Sequence, residues 1–192
     1  GVYYCPGNII IDHGNVVKLE SEKQVLMDYF ILDKENKTLR LFDNRVIDDF
    51  IEGFTDVEKI EMINDPQEKG KRIITIYQKE SSNPVVIHLD ETNQITYYEN
   101  KNLTKIGHEF LFANRKLEQI DIPNVTKIGN DFLHFNKNLA KLSLPKLTEI
   151  GNQCLYYNTS LNQIDLPSVM KIGNYFLVNN PSGPQEVVLP EL

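Results

Sequence analysis

The histidines, cysteines and acidic pairs of this chain are the side chains that could perform catalysis or bind a metal, and their spacing favours neither. His13, His88, His108 and His134 are scattered, and none lies at ligand spacing from another histidine or from a cysteine. No serine or cysteine occupies a nucleophile elbow, and no calcium loop of the EF-hand type is present. Because no nucleophile, base and orienting group can be named together, the sequence predicts no catalytic residue, no metal site and no cofactor.

The two cysteines, Cys5 and Cys154, give no disulfide framework and no metal-ligand spacing. Cys154 lies midway between Phe132 and Phe176 in the sequence, at a position that phenylalanine otherwise holds in a repeating pattern. We therefore expect Cys154 to be a small buried hydrophobic residue.

Two residue types recur at a constant interval of twenty-two positions and could be taken for binding sites. The glycines are Gly107, Gly129, Gly151 and Gly173, and the asparagines are Asn114, Asn136, Asn158 and Asn180. A phosphate cradle needs glycines clustered in one loop, so backbone geometry is the better explanation of the glycine column. The asparagines keep register with apolar columns, which predicts buried amides bonded to the backbone of adjacent turns.

The same period governs the apolar residues of the second half of the chain. The copies begin with the tripeptides Lys105-Ile106-Gly107, Lys127-Ile128-Gly129, Glu149-Ile150-Gly151 and Lys171-Ile172-Gly173, and each closes with an apolar residue followed by proline. One unit of this length cannot bury its apolar face alone and must stack on its neighbours. The sequence therefore predicts a solenoid, in which four repeats stacked at about 4.8 Å span about 20 Å.

Each repeat contains the pattern of two strands and a turn. Residues 119–122 alternate between polar and apolar types, as in a half-buried strand, and Pro123 ends this strand because proline cannot donate to a ladder. Residues 125–128 predict a second short strand on another face, and Gly129 permits a turn. Residues 130–135 are long enough for one helical turn. The predicted class is mainly β with short helical turns.

Residues 1–100 differ from the repeats and read as β-hairpins. Apolar alternation predicts strands at Asn8–Asp12, Val16–Leu19, Tyr29–Leu32, Thr38–Phe42, Arg72–Tyr77, Val85–Leu89 and Ile95–Tyr98. A degenerate repeat is predicted at 45–62, because its apolar residues match the first regular repeat at an offset of 60. We expect a β-rich capping region over 1–100 and a repeat array of about four units over 101–192.

One stretch of the array carries a family resemblance. The pattern Leu139-x-x-Leu142-x-Leu144-Pro145-x-Leu147-x-x-Ile150-Gly151-x-x-x-Leu155-x-x-Asn158 closely resembles the BspA-like leucine-rich repeat family. The resemblance covers 103–192, and 45–62 weakly. It implies a leucine-rich repeat solenoid of a kind found in many bacterial surface or secreted proteins. Such proteins often function in adhesion or host contact.

Composition narrows the possible partners. The net charge of −7 argues against binding to nucleic acid, which depends on clustered lysine and arginine. No apolar run approaches the roughly 20 residues that a membrane-spanning helix needs. We therefore expect no nucleic acid and no membrane span, and the expected partner is a protein because solenoid faces commonly bind proteins.

The outward positions of the repeat strand are the first candidate binding surface. They form two columns, Gln119, Lys141, Gln163 and Glu186, and Asp121, Ser143, Asp165 and Val188. Solenoid faces of this kind commonly bind proteins. These columns are polar, mixed in charge and free of aromatic residues, so a purely solubilising role is the alternative.

Large aromatic residues form the second candidate surface. Phe112, Phe135, Tyr156 and Tyr157 stand in two adjacent columns outside the apolar core pattern. Such residues could anchor a partner, because tyrosine and phenylalanine supply much contact area at low entropic cost. The alternative is that they shelter the convex side of the turns.

The functional prediction is a non-catalytic module for protein–protein interaction or adhesion, located at a bacterial surface or secreted. A carbohydrate-binding surface protein is the alternative, followed by a hydrolase in the first half of the chain. The final repeat ends with Val187, Leu189 and Leu192 and no polar cap. We therefore expect either that the natural chain continues beyond Leu192 or that this strand edge pairs with a second copy.

Overall fold

The chain is mainly β in a computed structural model that describes side chains for residues 63–77, 81–92, 94–108, 110–111, 115–181 and 183–190. Elsewhere only the backbone of the strands named below is described. Among the described residues there are strands and turns and no helix. The predicted solenoid behind a hairpin-rich region is confirmed.

Eleven strands are described in the first part of the chain. They are β1 Val2–Cys5, β2 Ile9–Asp12, β3 Asn15–Lys18, β4 Gln24–Leu26, β5 Phe30–Asp33, β6 Thr38–Leu41, β7 Val46–Ile47, β8 Val57–Asn64, β9 Arg72–Gln78, β10 Val85–Leu89 and β11 Ile95–Glu99. All seven predicted strands are confirmed within one or two residues, and β1, β4, β7 and β8 are additional. The degenerate repeat over 45–62 stays a prediction, because its side chains lie outside the described residues.

The repeats form two ladders of parallel strands. The first ladder contains β12 Lys105–Ile106, β14 Lys127–Ile128, β16 Glu149–Ile150 and β18 Lys171–Ile172. The second ladder contains β15 Lys141–Ser143, β17 Gln163–Asp165 and β19 Glu186–Val188. The equivalent strand of the first repeat, β13 Gln119–Asp121, belongs to the hairpin sheet. We number the coils by their residues, 103–124, 125–146, 147–168 and 169–190. Along the ladder of β12, β14, β16 and β18 each residue pairs with its equivalent 22 positions later, as in Ile128 with Ile150, so the sequence period is also the pairing register there.

The hairpin sheet continues into the solenoid without an interruption in its ladder. Strand β11 pairs antiparallel with β10 on one side and parallel with β13 on the other, with Tyr98 opposite Ile120. The sheet that contains the first coil therefore runs through β13, β11, β10, β9, β8, β1, β2 and β3. This arrangement pairs the outer edge of the first coil. The domain division at residue 100 stays a prediction, and the ladder crosses it.

The strand ladder is interrupted between the first and second coils. Among the described strands, β13 pairs with β11 and β15 pairs with β17, but β13 and β15 do not pair with each other. Ile120 in β13 is only partly buried, whereas Leu142 and Ile164 at the same repeat position are 2% and 0% exposed. The coils remain joined on their other face through β12 and β14.

Stacked columns of apolar side chains fill the space between the two ladders. Phe110 and Phe132 are fully buried, and their rings stack with centroids 6.1 Å apart. The core continues into the hairpin sheet, where Tyr98 packs its ring edge-on against Phe110. Each large apolar side chain buried in this way contributes about 1.5–3 kcal/mol, which no isolated coil could collect.

Cys154 occupies the next position of this aromatic column and is fully buried, as predicted. Its thiol contacts the Gly129 carbonyl oxygen at 3.2 Å. Burial raises the pKa of Cys154 from 9.0 to about 11, because the core disfavours the thiolate.

The pKa of Cys154 predicts a loss of stability in alkaline solution. The thiol's contribution is complete below pH 9.0, the pKa of the exposed group, and is lost as the pH rises towards about 11. By about pH 10.5 the loss relative to neutral pH should reach about 2 kcal/mol. Urea unfolding of the wild type and Cys154→Ala at both pH values isolates this effect. An identical alkaline loss in both proteins would contradict it.

The segment 130–135 between the two strands of the second coil is not the predicted helical turn. In the second coil, Asp131, Leu133 and Phe135 have φ angles of 60°, 53° and 57°. Their N–H groups alternate in direction, so that Asp131 and Phe135 donate to the following coil and Leu133 donates to the preceding one. In a helix these N–H groups would bond to carbonyl groups of the same segment, whereas here they form hydrogen bonds to the neighbouring coils.

The glycine column is explained by close approach between coils rather than by the φ angle. A Cβ atom on Gly151 would lie 2.6 Å from the backbone carbon of Gly129, and one on Gly173 would lie 2.4 Å from that of Gly151. Neither Gly151 nor Gly173 has a positive φ, although neighbouring residues with side chains do. The glycines therefore set the distance between the coils.

The described members of the asparagine column bond to backbone groups, and Asn136 and Asn158 are buried as predicted, whereas Asn180 in the last coil is only partly buried. Asn136 is 1% exposed, and its Nδ2 donates to the Leu117 carbonyl of the preceding coil at 3.0 Å. Its Oδ1 accepts from the N–H groups of Asn138 and Leu139 at 3.0 and 2.7 Å. Asn158 repeats the contact with the preceding coil by donating to Leu133 at 2.6 Å. Asn114 lies outside the described residues.

Asn136→Ala should lower the free energy of unfolding by about 1–3 kcal/mol, because it leaves two N–H groups and one carbonyl without a partner in a dry core. Chemical denaturation measures the change. Asn138→Ala is the matched control, because that side chain is exposed and should change stability by less than about 0.5 kcal/mol. Equal effects of the two substitutions would argue against the buried network.

Candidate interaction surfaces

The outward columns of the repeat strands form one continuous polar surface on β15, β17 and β19, which we call the strand face. The parallel register places Lys141 beside Gln163 and Gln163 beside Glu186, and it aligns Ser143, Asp165 and Val188 in the second column. Inward residues between them, such as Leu142, pack in the core. The alternation of strand side chains therefore separates a rigid apolar side from an accessible polar side.

Side chains of the strand face bond to each other across the coils. The Ser143 hydroxyl donates to Oδ2 of Asp165 at 3.1 Å, and the Gln163 amide donates to Oε2 of Glu186 at 2.7 Å. These bonds hold the two carboxylates in defined orientations and leave their remaining acceptor positions facing solvent.

A groove of about 390 Å³ lies on this surface. Its lining contains apolar atoms of Leu142, Ile164 and Val188 together with the polar side chains of Lys141, Ser143, Gln163, Asp165 and Glu186. The sequence predicted the columns but not the groove, because a concavity depends on how adjacent coils stack. Gln119 and Asp121, also predicted for this surface, lie on β13 beyond the interruption in the ladder.

The hairpin sheet extends both columns with residues that the repeat analysis missed. Tyr97 pairs with Gln119 and Glu99 pairs with Asp121, so an aromatic residue and a further carboxylate join the surface. The sequence signal was present, because Ile95 and Tyr98 lie one repeat period before the apolar positions 117 and 120. Residues 95–98 also alternate as a hairpin strand does, and this alternation obscured their match to the repeat register.

Tyr97 is held by its neighbours on both sides. Its hydroxyl donates to Oε1 of Glu99 at 2.9 Å, and its ring lies 4.7 Å from that of His88. Burial, followed by the bond to Glu99, raises the pKa of Tyr97, so the phenol stays protonated. Burial lowers the pKa of His88, which favours the neutral imidazole. This end of the surface therefore presents two aromatic rings in contact, and the Tyr97 hydroxyl is bonded to the Glu99 carboxylate.

The predicted aromatic surface is a set of rings packed on each other. His134 stacks on Tyr156 with centroids 5.2 Å apart, and Phe135 stacks on Tyr157 at 5.6 Å. Tyr156 also meets Tyr157 edge-on at 5.1 Å. His134 is buried, with Nε2 3.3 Å from Oδ1 of Asp131. Stacking between successive coils covers the ring faces that a ligand would use.

Exposure is uneven within this aromatic set. Tyr157 is 42% exposed, and Phe135 and Tyr156 are partly buried. The Tyr156 hydroxyl accepts from Asn179 Nδ2 at 2.6 Å, which ties it to the following coil. Phe112 lies outside the described residues. These contacts favour packing of the turns, and a binding role for Phe135, Tyr156 and Tyr157 stays a prediction.

A ladder of polar side chains beside the glycine column is a further feature that sequence reasoning did not predict. Asn130 accepts the N–H of Asn152 on its side-chain oxygen at 2.8 Å, and Asn152 does the same for Asn174. His108 begins the series by accepting the Asn130 N–H on Nδ1 at 2.8 Å. His108, Asn152 and Asn174 are exposed, and these bonds connect successive coils at the surface.

Comparison with known proteins gives one match. The family described as BspA type leucine-rich repeat region, in six copies, matches residues 88–183, half of the chain. The chain belongs to this family. The match begins in β10 of this leucine-rich repeat chain, near the strand that continues the ladder of the first coil. No curated protein and no solved structure matches it.

The family is generally a non-catalytic repeat scaffold that serves as a protein-interaction module. In the part of this leucine-rich repeat chain that the structure describes, no three histidine, cysteine or acidic side chains are grouped to hold a metal ion. The same residues contain no helix long and apolar enough to cross a membrane. Strand β19 is the outer strand of its sheet, and Val187 and Leu189 are 41% and 49% exposed. Self-association through this edge stays a prediction, and Leu192 lies outside the described residues.

Proposed function

We propose that this leucine-rich repeat chain is a non-catalytic adhesion module that binds a protein partner through the strand face. The groove across β15, β17 and β19 carries this proposal, because it gathers polar side chains from three coils on a rigid backbone. Fixed side chains lose little conformational entropy on binding, which favours recognition by such a surface.

Family membership supports a location at a bacterial surface or outside the cell. BspA-type leucine-rich repeats are commonly surface-associated. Antibody labelling of intact cells that express the natural gene, before and after external protease treatment, tests this location. Labelling that appears only after the cells are permeabilised would overturn it.

A pair of serine-to-tryptophan substitutions tests the binding surface. Ser143 lies in the groove, whereas Ser160 is exposed outside it, and each donates one hydrogen bond to a neighbouring coil. The purified chain is tested against an array of purified extracellular and surface proteins. We expect Ser143→Trp to weaken the affinity for a bound partner by about tenfold or more. Ser160→Trp should weaken this affinity by less than about twofold.

Two outcomes would contradict the proposed function. Binding that Ser143→Trp leaves unchanged would place the partner on another surface. Absence of any bound protein, with binding to a parallel array of purified glycans, would favour the carbohydrate-binding alternative. Circular dichroism of both variants ensures that a loss of binding does not reflect unfolding.

A further inference from the structure

We infer that the strand face recognises a cationic segment, meaning an exposed stretch of protein rich in lysine and arginine. This inference rests on the proposed function and specifies the chemistry of the partner. The feature that could bind is the groove and its sheet face, and the charges on that face decide which partner fits.

The strand face and the neighbouring strands β13 and β11, which lie beyond the interruption in the ladder, together carry four carboxylates and one ammonium group. The carboxylates are those of Glu99, Asp121, Asp165 and Glu186, and the ammonium is that of Lys141. Within the described residues none of these five groups takes part in an ion pair. The excess negative charge of this surface is therefore left for a partner to neutralise.

The opposite ladder shows that ion pairs between coils do form in this fold. The ammonium of Lys127 lies 3.8 Å from a carboxylate oxygen of Glu149, one coil further on. That ladder carries three lysines and one glutamate in its outward column, Lys105, Lys127, Glu149 and Lys171. The solenoid thus presents surfaces of opposite charge, and only the negative one contains the groove.

Neutral donors hold three of the four carboxylates in place. The Glu99 carboxylate accepts a hydrogen bond from the Tyr97 hydroxyl. The Asp165 carboxylate accepts one from the Ser143 hydroxyl. The Glu186 carboxylate accepts one from the Gln163 amide. A hydroxyl or an amide orients a carboxylate without removing its charge. Each group therefore keeps free acceptor positions, to which a guanidinium or an ammonium group can donate charge-assisted hydrogen bonds.

Lys141 allows the inference to be tested by both a loss and a gain of binding. It is exposed in the first column beside Gln163, and it lies in the groove with the carboxylates of Asp165 and Glu186. A cationic segment must tolerate this ammonium at close range, and like charges oppose binding. Removal of a carboxylate should therefore weaken the complex, whereas removal of Lys141 should strengthen it.

The test uses two labelled decapeptides, one of alternating lysine and serine and one of alternating glutamate and serine, with fluorescence anisotropy as the readout. The wild type should bind the lysine peptide and not the glutamate peptide. The combined variant Asp121→Asn, Asp165→Asn, Glu186→Gln should bind the lysine peptide about tenfold more weakly. Lys141→Gln should bind it about threefold more tightly.

A matched variant controls for the net charge of the chain. Glu68→Gln, Glu91→Gln and Glu149→Gln together remove the same number of carboxylates outside the strand face and should weaken binding by less than about twofold. Equal weakening by the two sets, or tighter binding of the glutamate peptide, would overturn the inference.

The partner found on the protein array separates the two proposals. Loss of that partner with Ser143→Trp, combined with its retention by the carboxylate variant, would reject the cationic partner and leave the proposed function standing. Retention with Ser143→Trp would reject the proposed function itself. Loss of the partner with both variants supports both proposals.

Discussion

Gly151→Ala should lower the free energy of unfolding by more than about 4 kcal/mol, a loss that few single substitutions reach. The added methyl group would lie 2.6 Å from the Gly129 carbonyl carbon and 2.4 Å from Oδ1 of Asn130. The nearby backbone cannot withdraw, because the N–H of Gly151 donates to the Ile128 carbonyl at 2.9 Å in the same contact between coils. Denaturant unfolding of the purified variant, or failure to obtain folded protein, measures the effect.

Gly183→Ala is the matched control for that experiment. Gly183 has a φ of 55°, but no atom lies within 4 Å of the position of an added Cβ. The substitution should therefore cost only the strain of the left-handed conformation, about 1–2 kcal/mol. If Gly151→Ala costs no more than Gly183→Ala, the coils can separate locally and the glycine column does not set their spacing.

Phe132→Ala should destabilise the chain by about 3–5 kcal/mol, because it opens a cavity in the centre of the stacked core. Phe132 is 0% exposed and lies between Phe110 and Cys154 in the aromatic column. The coils on both sides are held by parallel ladders, so the surrounding residues can collapse only partly into the space. Thermal and urea unfolding both report the loss.

Phe176→Ala provides the same chemical change at an equivalent position with less burial. Phe176 is partly buried and belongs to the last coil, so its removal should cost less, about 1–2 kcal/mol. A similar loss of unfolding free energy at both positions would show that the cost does not depend on how deeply the phenylalanine is buried in the column. It would also contradict the view that each coil depends on neighbours on both sides.

The repeating positions were open to prediction because the requirement at each of them is local. A residue such as Ile150 must be apolar wherever a coil packs on its neighbour, and stacking renews this need once in every repeat. The burial of Asn136 followed from the same register, since a polar residue that recurs beside core columns must find backbone partners. The outward columns of the strand face followed from strand alternation.

The conformation of the turns could not be predicted, because no local rule favours it. Residues such as Leu133 and Tyr157 adopt positive φ values that side chains disfavour by about 1–2 kcal/mol each. Hydrogen bonds to the coils before and after hold them there, and those bonds exist only once the coils have stacked. A local reading therefore favours a helical turn, and tertiary contacts override it.

The sequence by itself determined the architecture, the coil register, the buried columns and the residues that the strand face presents. Only the tertiary structure decided where coils touch closely enough to require glycine and where the ladder is interrupted. It also decided that β11 pairs with β13 and places Tyr97 and Glu99 beside Gln119 and Asp121. The physical reason is that periodicity reports the average environment of a repeat position, whereas a groove and unpaired charges depend on distances between coils that no single repeat encodes.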